Sequence, residues 1–167
     1  MGYHEHKQHS PVSISCAVLV ISGSRTEHDD ESGKLLMQML QANGHEVASF
    51  DILKNDAGAI RGKLEQFMAD DGVQAVISSG GTGASHLDIT VETVTPLLDK
   101  KLDGFGELFR QFTYQEIGTG SIMSRALAGV AGGTVIICLP GSVAAVEMAM
   151  QKIILPEIGH LVREAGR

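Results

Sequence analysis

The chain has 167 residues, of which 43% are hydrophobic and 20% are charged. This length and composition are typical of a single globular domain with a substantial core. No apolar run reaches the roughly 18 residues that a membrane span requires, and no basic stretch leads into a hydrophobic signal core, so we expect a cytoplasmic protein with no membrane partner. The net charge of -7 disfavours a nucleic-acid partner, because clustered lysine and arginine are what usually bind phosphate backbones.

The beginning of the chain is polar and shows no periodicity. We expect a flexible tail over residues 1–11 and one domain over residues 12–167, because a proline closes the polar stretch. Nothing in such a tail would fix a coordination geometry, so we assign no zinc to its three histidines, His4, His6 and His9.

Two patterns then alternate along the chain. Nearly continuous apolar runs predict buried strands over Ile14–Ile21 and Thr134–Leu139, and two further strands are predicted over Glu46–Leu53 and Val73–Ser79. Apolar residues at helical spacing predict a first helix with Asp29 or Asp30 as its N-cap and Gly44 at its C′ position. The same spacing predicts helices around Ile60–Met68, over Val91–Leu98 and Gly104–Gln115, and from Val143 onward with a kink at Pro156. This alternation predicts an α/β fold, a three-layer α/β/α domain with a mainly parallel sheet.

Cysteine occurs twice, and both residues lie inside predicted strands. Cys16 and Cys138 are each surrounded by β-branched residues, where a thiol usually behaves as a small buried hydrophobe. We expect both to be reduced core residues.

The predicted strands share one feature at their carboxyl ends, where open α/β sheets bind their ligands. All four strands run into polar or glycine-rich segments, namely Ser22–Arg25, Lys54–Asp56, Ser78–Gly83 and Pro140–Ser142. Ordinary turns use the same residue types, and this is the alternative for each segment taken alone. Four such segments at one edge of a sheet favour a binding site.

The segment Gly80-Gly81-Thr82-Gly83 is the strongest of the four. Three glycines in four positions leave backbone N–H groups exposed and let a phosphate or carboxylate approach closely. The segment lacks both the Walker lysine and the G-x-G-x-x-G spacing, so it matches neither standard nucleotide motif. It predicts an anion-binding loop of another kind.

Charged residues beside these segments suggest the chemistry. Asp56 and Asp88 could carry Mg²⁺ bridged to a phosphate substrate. The alternatives are solvated loop aspartates and, for Asp88, a helix N-cap before Thr90. Possible phosphate contacts are Arg25, Lys54 and Arg125. The chain has no G-x-S-x-G elbow and no cysteine–histidine signature, so phosphoryl or nucleotidyl transfer fits better than acyl transfer.

Five segments, in chain order, closely resemble the molybdenum cofactor biosynthesis protein B family, the MoaB/MogA molybdopterin-binding proteins. The resemblance covers nearly the whole chain and is carried by Ser79–Gly83, Asp88–Thr90, Gly104–Arg110, Ser124–Ala126 and Pro140–Ser142. It implies a MogA-like molybdopterin-binding fold. In active members it implies a molybdopterin adenylyltransferase, which transfers AMP from Mg-ATP to the terminal phosphate of molybdopterin and releases pyrophosphate.

The resemblance also implies roles for individual residues and for partners. Asp56 and Asp88 match acidic residues with nucleotide, metal or catalytic contacts. Together with Ser22 and Ser79 at the strand ends, the residues expected to bind the substrate are Gly80, Gly81, Thr82, Gly83, Ser124, Pro140, Gly141 and Ser142. The family further implies a homotrimer or homohexamer that works with other molybdenum cofactor biosynthesis proteins.

Three residues depart from the pattern of the family. Gly23 stands where many relatives have aspartate, and Val143 where they often have proline or threonine. Leu87 stands where relatives often have arginine, so a cation beside a polyphosphate is missing. These departures leave open the alternative of a non-catalytic molybdopterin carrier or assembly partner. A third hypothesis is a flavodoxin-like FMN module, because Ser22–Thr26 resembles a phosphate loop.

Overall fold

A computed structural model describes residues 10–167 of the chain. The three tail histidines and most of the predicted tail therefore lie outside the described residues. Residues 10 and 11, at the end of that tail, lie beside Gly159 near the carboxyl end of the chain. No helix in the described part is long and apolar enough to cross a membrane.

Between residues 10 and 167 the secondary structure consists of six strands and six α-helices. The strands are β1 (Ser15–Ile21), β2 (Glu46–Leu53), β3 (Ala75–Ser79), β4 (Lys100–Lys101), β5 (Leu127–Ala131) and β6 (Thr134–Leu139). The helices are α1 (Glu31–Ala42), α2 (Ala57–Met68), α3 (Thr90–Val94), α4 (Asp103–Ile117), α5 (Val143–Ala149) and α6 (Leu155–Ala165). Two 3₁₀ turns, at Thr95–Leu97 and Gly118–Met123, and a π turn at Met150–Ile154 connect them.

All six strands belong to one mixed sheet in the order β2-β1-β3-β6-β5-β4. The first four strands in this order are mutually parallel, whereas β5 runs antiparallel to β6 and β4 antiparallel to β5. In the sheet, β2 lies beside one edge of β1. The next strand along the chain, β3, lies beside the opposite edge of β1. The winding therefore reverses between β1 and β3, which is where sheets of this kind form a ligand crevice.

Helices cover both faces of the sheet and confirm the predicted three layers. Alternate residues of each central strand point into two cores, as the period of two along a strand requires. One core packs the sheet against α1, α4, α5 and α6, and the other packs it against α2 and α3. β3 and β6 are buried along their whole length, which explains their continuous apolar sequences.

The two cysteines are core residues, as predicted. Cys16 and Cys138 are fully buried, free, and on opposite faces of the sheet. Burial raises the pKa of the Cys16 thiol to about 12 and that of the Cys138 thiol to about 11. Since the thiolate is the reactive form, neither residue should be nucleophilic in the folded protein.

We therefore expect native protein at pH 8 to consume no thiol-specific reagent over the time in which a denatured sample consumes two equivalents. Absorbance of the released thiolate after mixing with an aromatic disulfide would measure this. A model thiol peptide in the same buffer controls for reagent activity. Rapid labelling of the native protein would contradict the buried placement of both side chains.

The antiparallel part of the sheet was not predicted from the sequence. β5 is a short run of Leu, Ala, Gly and Val with few β-branched residues, and β4 has only two residues, so neither shows a strand pattern. A two-residue turn joins β5 to β6 through Gly132 and Gly133, whose φ angles are +56° and +84°. Such a glycine pair before a predicted strand is a hairpin signal.

Helix ends mostly follow their sequence signals. The Asp30 side chain caps α1 by accepting a hydrogen bond from the Gly33 amide, and Gly44 follows the helix with φ +80°. At the carboxyl end, Pro156 cannot donate to the carbonyl of Lys152, and the helix passes through the π turn just before it.

Candidate functional site

A cavity of about 640 Å³ opens at the carboxyl edge of the parallel strands. The segments that follow β1, β2, β3 and β6 all contribute to its lining, as expected from the four polar strand ends. Predicted substrate-binding residues in the lining are Ser22, Gly80, Gly81, Thr82, Gly83, Ser124, Pro140, Gly141 and Ser142. The position of the cavity corresponds to the reversal of winding between β1 and β3.

The glycine loop after β3 has a conformation that only glycine adopts easily. Gly80 and Gly81 have φ angles of +104° and +67°. Thr90, at the start of α3, fixes this bend from behind. Its amide donates to the Gly81 carbonyl at 2.9 Å, and its hydroxyl donates to the Gly80 carbonyl at 3.0 Å. The loop is therefore a rigid part of the cavity.

The amide groups of this loop are available to a ligand. The Gly80 N–H donates to the Leu139 carbonyl and continues the pairing of β3 with β6. In the part of the chain that the structure describes, the N–H groups of Gly81, Thr82 and Gly83 donate no hydrogen bond. Successive amides without a partner, in residues that line a cavity, are an arrangement that can bind an oxyanion.

The side chain of Asp88 lies next to Gly83 of the glycine loop. Its carboxylate accepts a hydrogen bond from the Ser85 amide at 3.1 Å, and a Cβ on Gly83 would come within 2.5 Å of it. The N-cap position of α3 is occupied by Ile89 without a side-chain cap bond, so the alternative of Asp88 as helix cap is wrong. Asp88 thus lines the cavity with its carboxylate next to the exposed amides.

The structure separates two neighbouring residues after β2. Asp56 is exposed and caps α2, accepting from the Ala59 amide at 2.7 Å, and it does not line the cavity. Asn55 does line the cavity, and its Oδ1 is buried with no hydrogen-bond partner. The carboxylate of Asp56 was predicted to lie in the site, whereas the residue found in the lining is Asn55. Ser124 likewise presents a buried hydroxyl oxygen without a partner.

The three candidate phosphate contacts have different surroundings. Arg25 lines the cavity, whereas Lys54 and Arg125 do not. Arg125 donates to both carboxylate oxygens of Glu92 and to the Thr82 carbonyl, and this pairing lowers the pKa of Glu92. Arg125 therefore supports the glycine loop from outside.

One wall of the cavity was not predicted. It is formed by the carboxyl-terminal half of α4, the following 3₁₀ turn and α5, through Phe109, Thr113, Glu116, Ile117, Gly120, Met123, Ala144, Ala145 and Met148. Ile117 and Met123 remain 62% and 59% exposed although they are large and apolar. Exposed apolar side chains beside a polar loop are typical of a binding wall, but their exposure is visible only in the structure and no sequence pattern marks it.

The description "Probable molybdopterin binding domain" belongs to the family model that matches residues 16–160. This match includes every segment of the cavity. The chain belongs to the molybdopterin-binding domain family. The resemblance drawn from the five sequence segments is thereby confirmed.

Relatives within the family are similar over their whole length. The Bacillus subtilis protein named molybdenum cofactor biosynthesis protein B is 44% identical over 165 residues, which are 98% of this chain and 97% of that protein. The protein of the same name from Staphylococcus carnosus is 45% identical over 154 residues, 90% of each chain.

Solved structures of the family share the fold. A crystal structure of a molybdenum cofactor biosynthesis protein B has a TM-score of 0.90 at 43% identity, covering 93% of this chain and 98% of that one. The tungsten cofactor synthesizing protein MoaB from Pyrococcus furiosus has a TM-score of 0.86 at 34% identity, covering 95% and 100%. The MogA-like α/β fold expected from the sequence is thereby confirmed.

The three departures from the family pattern have different locations. Gly23 lines the cavity, with open space where a side chain would extend. Leu87 is 59% exposed and lies outside the lining, and Val143 is the first residue of α5. Of the three residues, Gly23 is the one that lies in the cavity lining.

Proposed function

We propose that this chain acts in molybdenum cofactor biosynthesis by binding molybdopterin in the cavity and transferring AMP from Mg-ATP to its terminal phosphate, with release of pyrophosphate. One observation carries the proposal: free amides of the Gly80–Gly83 loop, Asp88 and Arg25 line one cavity in a member of the molybdopterin-binding domain family. A volume of about 640 Å³ is in the usual range for small-molecule sites.

The proposed reaction asks little covalent chemistry of the protein. The terminal phosphate of molybdopterin is itself the nucleophile, so the chain must align it with the α-phosphate of ATP and stabilise the negative charge. The amides of Gly81, Thr82 and Gly83 would bind phosphate oxygens. The apolar wall, in which Ile117 and Met123 are exposed, would pack against the pterin and exclude water from that side.

This cavity contains oxygen donors of the kind that Mg²⁺ prefers. The Asp88 carboxylate and the buried, unpartnered Oδ1 of Asn55 fit a cation that takes one or two protein oxygens beside substrate phosphates. Bound there, Mg²⁺ would neutralise charge on the phosphates. We therefore propose Asn55, in place of Asp56, as the companion of Asp88. Among the described residues, no group of three His, Cys, Asp or Glu side chains is placed to hold a metal without a substrate.

A specific observation favours the carrier as the second candidate. The predicted pair of carboxylates is split, because Asp56 caps α2 outside the cavity and leaves Asp88 as the only member of the pair in the lining. A cavity with less capacity for Mg-ATP would still bind molybdopterin through its loop and apolar wall. In that case the chain would deliver molybdopterin to other proteins of the pathway.

One experiment separates these functions. Purified protein is incubated with molybdopterin and Mg-ATP, and pyrophosphate and adenylylated pterin are measured beside a binding titration. We expect both products in equal amounts, and none when the pterin has been dephosphorylated, because the acceptor oxygen is then missing. Binding without products would establish the carrier. If molybdopterin does not bind at all, both functions are wrong.

A further inference from the structure

The cavity has one positively charged side chain. Among the described residues that line it, Arg25 is the single cation, and the two carboxylates are Asp88 and Glu116. A phosphate-bearing ligand would bring further negative charge to this surface. Arg25 is therefore the residue on which recognition of an anion would depend most.

The geometry of Arg25 leaves one edge of its guanidinium open. Nη1 donates to the Ser32 hydroxyl at 3.0 Å and to the Gly141 carbonyl at 3.1 Å. In the described part of the chain, Nε and Nη2 have no hydrogen-bond partner, and the side chain is 36% exposed. These two nitrogens form the edge that binds carboxylate or phosphate in a bidentate manner.

The buried carboxylate of Asp30 lies close to Nη1 of Arg25. Asp30 is fully buried, and its Oδ1 lies 3.8 Å from Arg25 Nη1 while accepting from the Ser32 hydroxyl at 3.1 Å and the Gly33 amide at 3.2 Å. Its Oδ2 is buried with no partner. A Cβ at position 33 would overlap that oxygen, so glycine is needed there.

The Ser32 hydroxyl connects these groups. It donates to Asp30 and accepts from Arg25 and from the Ser79 hydroxyl, which is 3.1 Å away at the end of β3. Burying a carboxylate costs free energy unless a charge or donors compensate it, and here the Ser32 hydroxyl, the Gly33 amide and the nearby Arg25 guanidinium do so. The network thus fixes Arg25 between β3 and the loop after β6.

We propose that Arg25 binds a phosphate group of the ligand through its Nε and Nη2 edge, and that Asp30 and Ser32 are positioning residues for it. The inference rests on the proposed function only for the identity of the ligand. The phosphate belongs either to molybdopterin or to the polyphosphate of ATP. Arg125 cannot take this role while it is paired with Glu92.

The test titrates wild type and Arg25→Ala with inorganic pyrophosphate, Mg-ATP, molybdopterin and dephosphorylated pterin. We expect Arg25→Ala to weaken pyrophosphate and at least one of the two phosphate-bearing ligands about 10- to 100-fold, and to leave the dephosphorylated pterin unchanged. The affinity of Arg25→Lys for these ligands should be intermediate, because lysine keeps the positive charge but lacks the planar pair of N–H donors. Arg61→Ala, on the exposed side of α2, is the control for loss of one positive charge.

The positioning role has its own readout. Asp30→Asn keeps a side chain that can cap α1 and removes the charge, so we expect phosphate affinity to fall roughly 3- to 10-fold in the wild-type background and not at all in Arg25→Ala. A merely structural role would lower affinity equally in both backgrounds. Glu31→Gln removes a neighbouring, exposed charge and is the matched control.

The outcomes separate this inference from the proposed function. If wild type binds pyrophosphate through Arg25 but not molybdopterin, the assignment of the ligand is wrong and the role of Arg25 stands. Failure of wild type to bind pyrophosphate or any phosphate-bearing ligand would overturn the role of Arg25. So would equal affinity in Arg25→Ala, or an equal loss for the dephosphorylated pterin.

Discussion

Replacing Gly80 by alanine is expected to lower the free energy of unfolding by roughly 3 kcal/mol or more and to eliminate ligand binding. Gly80 has φ +104°, and an added Cβ would overlap the carbonyl oxygen of Ile21. That carbonyl belongs to the last residue of β1, which pairs with Leu53 of β2. Relief of the overlap therefore requires movement of the sheet or of the whole glycine loop.

Urea unfolding and molybdopterin titration of the purified variant would measure both effects. Gly62→Ala is the matched control, since Gly62 lies in α2 with nothing within 4 Å of an added Cβ. That variant should be more stable than wild type by up to about 1 kcal/mol, because alanine favours a helix over glycine. A Gly80→Ala protein with wild-type stability would contradict the close approach of Gly80 to the Ile21 carbonyl.

Asp88→Ala is expected to reduce the rate of adenylyl transfer roughly 100-fold or more while preserving the fold. Asp88 is the carboxylate closest to the free amides of the glycine loop, and it is the charged member of the proposed Mg²⁺ site. Asn55→Ala should also slow the reaction and raise the Mg²⁺ concentration needed for half-maximal rate. Initial rates of pyrophosphate release across a magnesium titration would measure both.

Two further variants make the comparison decisive. Asp71→Asn removes an exposed carboxylate in the turn before β3 and controls for net charge. Asp56→Asn keeps the ability to cap α2 and tests the residue chosen from sequence. A full rate in Asp88→Ala would remove Asp88 from the mechanism. A loss in Asp56→Asn as large as that in Asn55→Ala would restore the pair of carboxylates predicted from sequence.

The parts of the fold that were predicted are those where one face or both faces are buried. β1, β3 and β6 read as strands because burial on both faces demands continuous apolar residues. The start of α1 was predicted to within one residue, with Asp29 or Asp30 as its N-cap, because capping is a local interaction, and the structure shows that the cap is Asp30. β5 escaped prediction because its pairing with β6 comes from the Gly132–Gly133 turn and not from strand-forming side chains.

In the candidate site, too, some parts were predicted from the sequence and others were not. Its backbone loops were predicted, because glycine and proline determine conformation locally. The sequence does not indicate which of Asn55 and Asp56 faces the cavity. Adjacent side chains point in different directions at the end of a strand, and only that of Asn55 lines the cavity. The wall from α4 and α5 depends on packing of distant elements, which no short segment encodes.

The hydrogen bond from Arg25 to Gly141 joins residues 116 positions apart, and the cavity is lined from Ile21 to Met148. No contiguous half of the chain contains all its walls. During synthesis from the amino end, the glycine loop and Asp88 emerge well before β6 and α5 can close the opposite side. A nascent or truncated chain therefore lacks part of the cavity wall, and we expect the proposed pterin binding only once the complete sheet has assembled.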